Sequence, residues 1–294
     1  MSGIKHIGVM GNPAYPNVTG ALQRLAEIAP EHGFDLLAAE LIRADRALGL
    51  PALPDDAHEI DMLITLGGDG ALLGGARWAG PAGTPVLGVN LGRLGFLTAV
   101  TMEEMDDALA RIADGDYEID TRMALEVTSA HTGEDVKPYY ALNDAVLHRG
   151  GLVRVVALRV WADDEEVGLY RGDGVIVATP TGSTAYSLSS GGPILDPRLD
   201  AIVITPISPH TMAVRPLVLR ATARITIEVV ASPEELMLTI DGQVGSPLEP
   251  GDRVTVNKAD RPVQLIRMPG DSFHSLLRRK LKWGDVSEPT QDDA

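Results

Sequence analysis

The sequence predicts an α/β domain with a parallel sheet, followed by a β-rich domain that resembles a sandwich. Two observations carry this prediction. In the first hundred residues, short apolar runs alternate with segments in which apolar residues recur at helical spacing, an order typical of a parallel sheet covered by helices. Beyond residue 120 the apolar runs become strand-like, several alternate with a period of two, and turn residues separate them at short intervals.

The N-terminal elements alternate in type along the chain. Buried strands are predicted at 6–10, 34–37, 62–66 and 86–89, where apolar residues are continuous or nearly so. Helices are predicted after Thr19, which can cap the first of them, after residue 70, and after the capping box formed by Thr101 and Glu104. Strand, glycine turn and helix in this order indicate a Rossmann-like arrangement, which presents ligands at the carboxyl ends of its strands.

The second half of the chain is rich in predicted strands. They fall at 125–128, 153–161, 175–178, 202–205, 225–230, 236–240 and 254–256. A last helix is predicted around 273–281, with Asp271 or Ser272 as its cap. We therefore expect an N-terminal domain at 1–100, a β-rich domain at 101–270, and a final segment, 271–294, that returns to the first domain and ends in a polar tail.

Composition excludes several classes of function. The 294 residues carry a net charge of −16, which argues against a general affinity for nucleic acid or an anionic membrane. The absence of cysteine excludes disulfides and thiolate metal sites. No apolar run approaches the ~18 residues of a membrane span, and the N-terminus lacks the apolar segment of a signal peptide. We expect a soluble, cytoplasmic protein with neither a nucleic-acid nor a membrane partner.

The stretch Gly67-Gly68-Asp69-Gly70 is the first candidate site. It follows a predicted buried strand and precedes a helix, and its glycines let a phosphate or a sugar approach the backbone. Asp69 is its single ionisable group, and a carboxylate there is suited to holding a metal or accepting a hydroxyl proton. A surface turn that binds nothing would use the same residues, so the motif alone leaves both possibilities open.

A second unusual run is Thr179-Pro180-Thr181-Gly182-Ser183-Thr184-Ala185-Tyr186-Ser187. Its hydroxyls and backbone N–H groups could form an anion cradle without net charge. The alternative is a turn whose hydroxyls satisfy its own backbone. The chain has no Gly-Lys dipeptide and no G-x-G-x-x-G, so the usual phosphate and dinucleotide fingerprints are absent.

Two smaller clusters add candidate residues. Asn143-Asp144 interrupts an apolar run, where it needs polar partners unless it lies at a bulge or an edge. Arg171 and Asp173 flank a glycine and could grip a polar ligand, or form a plain surface ion pair. His210 is expected to be structural rather than catalytic.

Together these motifs resemble those of NAD kinases in order and spacing: Gly67-Gly68-Asp69-Gly70, Asn143-Asp144, the run 179–187 with Gly191-Gly192-Pro193, Pro209-His210-Thr211, and Asp241-Gly242-Gln243. The glycine loop alone is shared with phosphofructokinases and with lipid kinases of the diacylglycerol type, whereas the run 179–187 is specific. The resemblance implies the two-domain NAD kinase fold. It also implies phosphoryl transfer from ATP, or from inorganic polyphosphate, to the 2′-hydroxyl of the adenosine ribose of NAD.

The resemblance also implies roles for individual residues. Asp69 would accept the hydroxyl proton, and Gly70 would let the ribose approach. The remaining NAD contacts would be Asn143, Asp144, Arg154, Arg171, Asp173, Thr184, Ala185, Tyr186, Ser187, Leu188, Ser189 and Gln243. Some of these would come from a neighbouring subunit, because a homodimer or homotetramer is expected.

A divalent cation, Mg²⁺ by preference, should neutralise the triphosphate, because the chain has no lysine-bearing phosphate loop. One departure from the family matters: Ala71 follows the glycine motif where many relatives carry a hydroxyl or amide. Two other functions compete with an NAD kinase. They are a lipid or sugar kinase that shares only the glycine loop, and a catalytically silent dinucleotide sensor.

Overall fold

The computed structural model describes residues 3–15, 17–42, 48–92, 95–130, 138–150, 155–211, 213–232, 235–270 and 272–282. Its α-helices are α1 Val18–Ile28, α2 Asp69–Ala79, α3 Met105–Asp114, α4 Tyr186–Ser189 and α5 Phe273–Leu281. In this described part of the chain, no helix is long and apolar enough to span a membrane. The strands form three sheets.

The first sheet is the predicted parallel sheet. Its strands are β1 His6–Gly11, β2 Asp35–Ala38, β3 Met62–Gly67, β4 Val86–Asn90, β5 Val100–Thr101, β6 Glu118–Arg122 and β19 Val263–Arg267. Their order is β2-β1-β3-β4-β19-β6, and β5 pairs with β4. Every residue of β3 is buried, which explains its unbroken apolar sequence, since a central parallel strand is covered on both faces.

Two strands of this sheet come from beyond residue 100. β19 pairs in parallel with β4 on one side and antiparallel with β6 on the other. The sequence-based limits at residues 100 and 270 place both segments in the β-rich domain. In the structure, both segments are strands of the first sheet. β6 is mostly polar and β19 is short, and the pairing partner of such a strand cannot be read from its periodicity.

The β-rich part is a sandwich of two antiparallel sheets, as predicted. One contains β7 Leu125–Ala130, β8 Tyr139–Ala141, β10 Val156–Ala162, β11 Glu165–Gly172, β15 Ile225–Ala231 and β18 Arg253–Lys258. The other contains β9 Asp144–Arg149, β12 Gly174–Ala178, β13 Ala201–Ile207, β14 Leu217–Arg220, β16 Leu236–Ile240 and β17 Val244–Leu248. Apolar side chains from both sheets, such as Leu158, Ile227 and Val177, form one buried core between them.

The helix starts agree only partly with the predicted caps. α1 is preceded by Asn17 with a φ of 68° rather than capped by Thr19. The Glu104 carboxylate accepts hydrogen bonds from the N–H and hydroxyl of Thr101, so one arm of the predicted capping box forms just before α3. Ser272 caps α5 by accepting from the N–H of Ser275, as one of the two predicted alternatives required.

Sheet register brings the candidate segments together at one end of three adjacent strands in the second antiparallel sheet. Ala178, the last residue of β12, pairs with Asp144, the first of β9, and Ile240, the last of β16, pairs with Ala145. The segments that begin at Thr179 and Asp241 therefore leave the sheet beside Asn143 and Asp144. The sandwich thus gathers, at one end of these strands, three motifs that together span almost a hundred residues of sequence.

Candidate active site

The glycine motif forms the turn between β3 and α2, as predicted. Gly67 has a φ of 154°, a conformation that favours glycine, and a Cβ there would lie 2.7 Å from that of Ala71. Asp69 is the first residue of α2, so its carboxylate lies at the positive end of the helix dipole. β1 and β4 flank β3 in parallel, and the segments that follow them lie at the same end of the sheet.

The Asp69 carboxylate is held by the loop that follows β4. One oxygen, Oδ2, accepts a hydrogen bond from the N–H of Phe96 at 2.7 Å. The other, Oδ1, accepts from the N–H groups of Leu97 and Thr98 at 3.0 and 3.2 Å. A carboxylate has about four lone-pair sites, so three such bonds leave one site for a ligand. Asp69 therefore fixes the loop and retains limited capacity to accept a proton.

A second aspartate has the same kind of environment in the β-rich domain. Asp241 and Gly242 have φ values of 49° and 65° in the turn that joins β16 to β17, as in a type I′ hairpin with an Asp-Gly sequence. The Asp241 carboxylate accepts hydrogen bonds from the N–H groups of Leu142, Asn143 and Asp144 at 3.2, 2.8 and 3.2 Å. Asp241 therefore fixes the segment that carries the predicted Asn143-Asp144 pair.

The two aspartate environments are linked directly. Arg77, on α2, directs its Nη1 to Asp241 Oδ2 at 3.5 Å and donates from Nη2 to Gln243 Oε1 at 2.6 Å. Gln243 in turn donates from Nε2 to the carbonyl oxygen of Gly70 at 2.6 Å. The structure thus connects α2, the helix that Asp69 begins, through Gln243 and Asp241 to the segment that carries Asn143 and Asp144.

Asn143 and Asp144 have properties typical of ligand-binding side chains. Asn143 Oδ1 is buried without a hydrogen-bond partner among the described residues, a costly state that a ligand donor would relieve. Asp144 is 4% exposed. Burial raises its pKa to about 7, and the charge of Asp241 adds to the shift. Burial also raises the pKa of Asp241, although the three N–H groups and Arg77 oppose that shift.

The hydroxyl-rich run packs against the same segment. A Cβ on Gly182 would lie 2.1 Å from the carbonyl oxygen of Asn143, so only glycine fits at that point. Thr179 donates its hydroxyl to the carbonyl of Leu142 at 2.6 Å, and Ser183 donates to that of Pro180 at 2.6 Å.

The predicted site residues of this run, 184–189, are divided between buried and accessible positions. Ser187 is fully buried, and its hydroxyl lies 2.8 Å from that of Thr205. Thr184 donates to the carbonyl of Thr181 at 3.2 Å. Several hydroxyls therefore satisfy the protein's own groups, which is the alternative to an anion cradle. Tyr186 and Ser189 are exposed, while Thr184, Ala185 and Leu188 are half-buried.

A cavity of about 830 Å³ adjoins this arrangement, a volume in the range of small-molecule sites. The backbone that binds Asp69, from Phe96 to Thr98, lines one wall, and Thr181 and Thr184 line another. α3, β6 and α5 complete the lining through residues such as Arg111, Arg122 and Arg279. The cavity therefore lies between the first sheet, the hydroxyl-rich run and the C-terminal helix.

The remaining predicted residues lie elsewhere. Asp173 pairs with Arg149, whose Nε lies 3.0 Å from Asp173 Oδ1, and a grip on a ligand by Arg171 and Asp173 stays a prediction. Arg149 ends β9, five residues after Asp144, about 17 Å away at the rise of an antiparallel strand. Arg171 is exposed at the end of β11. Arg154 lies outside the described residues. His210 donates its backbone N–H to the carbonyl of Arg171 at 2.9 Å, and the structural role of its side chain stays a prediction.

The sequence analysis assigned no role to two residues of this region, Arg77 and Asp241. Arg77 lies on α2 eight positions after Asp69. In a chain with a net charge of −16, a cation so close to the glycine motif could have been identified as a candidate site residue. Asp241 belongs to a motif that the sequence did identify, but only Gln243 was assigned a role. An Asp-Gly turn directs its first side chain back over the strand ends, and only the fold shows what lies there.

Within the described residues, no group of three or more histidine, aspartate and glutamate side chains is placed to hold a metal ion. The Asp69 oxygens already accept three backbone N–H groups. The described side chains therefore do not form a protein cage for Mg²⁺, a cation that often binds through one or two carboxylates together with substrate phosphates.

Comparison with known proteins agrees with this architecture. Residues 50–117 match the family model of the ATP-NAD kinase N-terminal domain, and residues 142–268 match that of the ATP-NAD kinase C-terminal domain. An NAD kinase of Gemmatimonas aurantiaca is 45% identical over 96% of this chain and 97% of its own length. One of Geotalea daltonii is 40% identical over 96% of this chain and 100% of its own length.

Solved structures show the same fold. The crystal structure of yeast NADH kinase complexed with NADH superposes with a TM-score of 0.90 at 25% identity, over 99% of this chain and 91% of that one. An NAD kinase from Archaeoglobus fulgidus in complex with ATP gives a TM-score of 0.73 at 22% identity, over 94% and 98% of the two chains. The two family-model matches and the relatives that are 40% and 45% identical over 96% of the chain show that it belongs to the NAD kinase family.

Proposed function

We propose that this chain transfers a phosphoryl group from ATP to the 2′-hydroxyl of the adenosine ribose of NAD, giving NADP and ADP. Membership in the NAD kinase family supports the reaction. The observation that supports the placing of NAD is the buried, unpartnered Oδ1 of Asn143 beside Asp144. A hydroxyl or amino group of the adenosine end would donate to this oxygen and remove the cost of leaving it unsatisfied.

Asp69 is the proposed proton acceptor. During the transfer, the 2′-oxygen forms a bond to the γ-phosphorus, the bond to the ADP oxygen breaks, and the hydroxyl proton leaves. A carboxylate is too weak a base to ionise a ribose hydroxyl in advance. It can take the proton late, as the new bond forms, and such a base typically contributes about 10²–10⁴-fold. Positioning of the reactants contributes most of the remainder.

Gly70 and the run 184–189 complete the proposed NAD site. Gly70 is exposed at the first turn of α2, so a ribose can approach its backbone. Thr184 borders the cavity, and we propose that Ala185, Tyr186, Ser187, Leu188 and Ser189 shape the surface around the dinucleotide. Because the side chain of Ser187 is buried, its contribution would be to hold the turn rather than to contact the ligand.

We further propose that Arg154, Arg171 and Asp173 serve the site of a neighbouring subunit in a homodimer or homotetramer. Asp173 and its partner Arg149 lie at the far end of β9 from Asp144, too far for a contact within the same chain. Light scattering of the purified protein would measure the oligomer. A monomer that is fully active would contradict this part of the proposal.

We propose that the divalent cation enters bound to the triphosphate, since phosphate oxygens and water are its usual partners in kinases. Once bound, it would neutralise charge on the transferred group. Inorganic polyphosphate is the alternative donor, and a cytoplasmic location stays a prediction from the sequence.

The first experiment measures NADP formation from NAD, ATP and Mg²⁺ with an NADP-specific dehydrogenase. The wild type should form NADP, and Asp69→Asn should lose turnover while its affinity for NAD stays within a few-fold. Asp106→Asn is the matched control, because Asp106 also lies in the first turn of a helix but pairs with Arg24 at the surface. If Asp69→Asn kept most of the rate, the proton-acceptor role would be wrong. NAD binding without product under any donor would favour the sensor.

A further inference from the structure

Tyr15 lies against the glycine turn and has no role in the site described above. It belongs to the loop between β1 and α1. In that loop the side chain of Asn12 accepts a hydrogen bond from the N–H of Ala14 at 2.9 Å, and the Asn12 carbonyl accepts one from the N–H of Tyr15 at 2.9 Å. An asparagine turn of this kind fixes the main chain that follows it. Local structure therefore sets the position of Tyr15.

The Tyr15 hydroxyl comes close to the main chain of two turns. A Cβ on Gly68 would lie 2.9 Å from Tyr15 Oη, and a Cβ on Gly92, which follows β4, would lie 3.8 Å from it. The first distance is too short for a side chain to be present. Glycine at position 68 therefore leaves room for the hydroxyl between the turns that follow β3 and β4.

This hydroxyl is available to a ligand. Tyr15 is half-buried, and within the part of the chain that the structure describes, its hydroxyl makes no hydrogen bond. A phenol can donate one hydrogen bond. Such a bond to an anionic oxygen is shorter and about twice as strong as one between neutral groups, so a phosphate oxygen is a suitable partner.

The two ends of the glycine turn face different parts of the molecule. Gly70 faces the β-rich domain, where Gln243 donates from Nε2 to the Gly70 carbonyl oxygen at 2.6 Å, and the same domain carries Asn143. Gly68 faces Tyr15. In phosphoryl transfer the attacking and leaving oxygens lie roughly in line, on opposite sides of the transferred group. With the acceptor ribose on the side of Asn143, the donor would extend on the side of Tyr15.

We propose that Tyr15 is a binding residue for the phosphoryl donor, and that its hydroxyl donates a hydrogen bond to a phosphate oxygen of ATP at the glycine turn. The inference rests on the proposed function, in which ATP is the donor and NAD binds beside Asn143. Tyr15 takes no part in proton transfer, which belongs to Asp69. A contact that is made equally before and during the reaction affects KM and leaves kcat unchanged.

The test is Tyr15→Phe, which removes the hydroxyl and keeps the ring. Calorimetry measures the binding of the β,γ-imido analogue of ATP with Mg²⁺, and the binding of NAD without a donor. The dissociation constant of the analogue should rise by about 10–100-fold, since the lost hydrogen bond is to a charged group. The KM for ATP should rise by a similar factor, while kcat and the NAD dissociation constant should change by less than about threefold.

Two controls define the contact. Tyr117→Phe is the matched variant, because Tyr117 is also a half-buried tyrosine of the first domain but packs against the buried core. It should bind the analogue and NAD as the wild type does. Tripolyphosphate should compete with the analogue in the wild type, and its inhibition constant should rise in Tyr15→Phe by about the same factor. An effect on the analogue without one on tripolyphosphate would mean that Tyr15 contacts the nucleoside, and the inference would be wrong.

Unchanged affinity for the analogue in Tyr15→Phe would also overturn the inference. A rise of more than about tenfold in the NAD dissociation constant would do the same, because Tyr15 would then contact the acceptor. Failure of the proposed function has a different result. If the wild type bound NAD and the analogue but formed no NADP, the reaction would be wrong, and the two affinities would still decide the role of Tyr15.

Discussion

Asp69 and Asp241 are each held by three backbone N–H groups, but the two carboxylates differ in how far they are buried. Each carboxylate accepts three consecutive backbone N–H groups, from Phe96, Leu97 and Thr98 in the first case and from residues 142–144 in the second. The Asp241 side chain is fully buried and faces Arg77. Asp69 is half-buried, beside a glycine turn and the cavity wall.

The difference separates a structural carboxylate from one that can also react. A buried carboxylate with three N–H donors and a guanidinium has its charge compensated by the protein, and a ligand gains little by approaching it. A half-buried carboxylate at a helix start keeps a lone pair accessible to a substrate. The same local chemistry thus holds two loops in place, and the greater exposure of Asp69 is what leaves it accessible for the role proposed above.

The largest expected effect tests this contrast in stability. Asp241→Asn should lower the free energy of unfolding by about 2–4 kcal/mol, because it leaves Arg77 without its counter-charge and offers one acceptor to three N–H groups. Asp69→Asn, which loses acceptor capacity in a more exposed site, should cost about 1–2 kcal/mol. Urea denaturation followed by circular dichroism measures both.

The two variants should have the opposite order in activity. Asp69→Asn should be inactive although folded, and Asp241→Asn should retain measurable turnover at a temperature where it is folded. Equal losses of stability in the two variants would remove the distinction drawn here between the two carboxylates.

A smaller effect concerns the loop that binds Asp69. A Cβ on Gly95 would lie 1.8 Å from Asp69 Oδ1, so Gly95→Ala should displace the carboxylate and lower kcat by about 10–100-fold. Stability should change by no more than about 1–2 kcal/mol. Gly20→Ala is the matched control, because a Cβ at Gly20 on α1 would meet nothing within 4 Å. A Gly95→Ala enzyme with the wild-type rate would show that the position of Asp69 is not critical.

The sequence was sufficient for the parts of the fold that rest on local pattern. The continuous apolar run of β3, the glycine turn and α2 follow from periodicity and from turn chemistry. The placing of β6 and β19 in the first sheet did not, because strand pairing is a tertiary property.

For the candidate site, the sequence pointed to the polar residues but not to the hydrogen-bond partners of their side chains. Asn143, Asp144 and Gln243 belong to motifs that the sequence singled out, but the partners of their polar atoms depend on which strand ends meet. Thr179 and Ser183 illustrate the limit: a hydroxyl that binds a ligand and one that binds a carbonyl look the same in sequence. Arg77 likewise became significant only when the turn at Asp241 was seen beside it.

A pH-dependent effect is expected from Asp144, a buried acid of the site. Burial, with the charge of Asp241, raises its pKa from 3.8 to about 7. Between these values the folded protein keeps a proton that the unfolded chain has released, so Asp144 makes stability fall as pH rises from about 4 to about 7, and its effect is constant above. The ionisable neighbours in this region are Asp241, Arg77 and Tyr140. A substitution at Asp144 leaves all three of these side chains in the protein.

Asp144→Asn should remove this loss. The melting temperature of the variant relative to the wild type should rise by several degrees between pH 5 and pH 8. Asp163→Asn is the control, because a hydrogen bond from the N–H of Arg224 and the charge of Arg220 lower the pKa of Asp163. Its contribution is lost only in more acidic solution, so its melting curve should stay parallel to that of the wild type over this range. If the melting curve of Asp144→Asn also stayed parallel to that of the wild type, Asp144 would be ionised over the whole range from pH 5 to pH 8. Asp241 and Arg77 would then hold the segment while Asp144 carries its full negative charge.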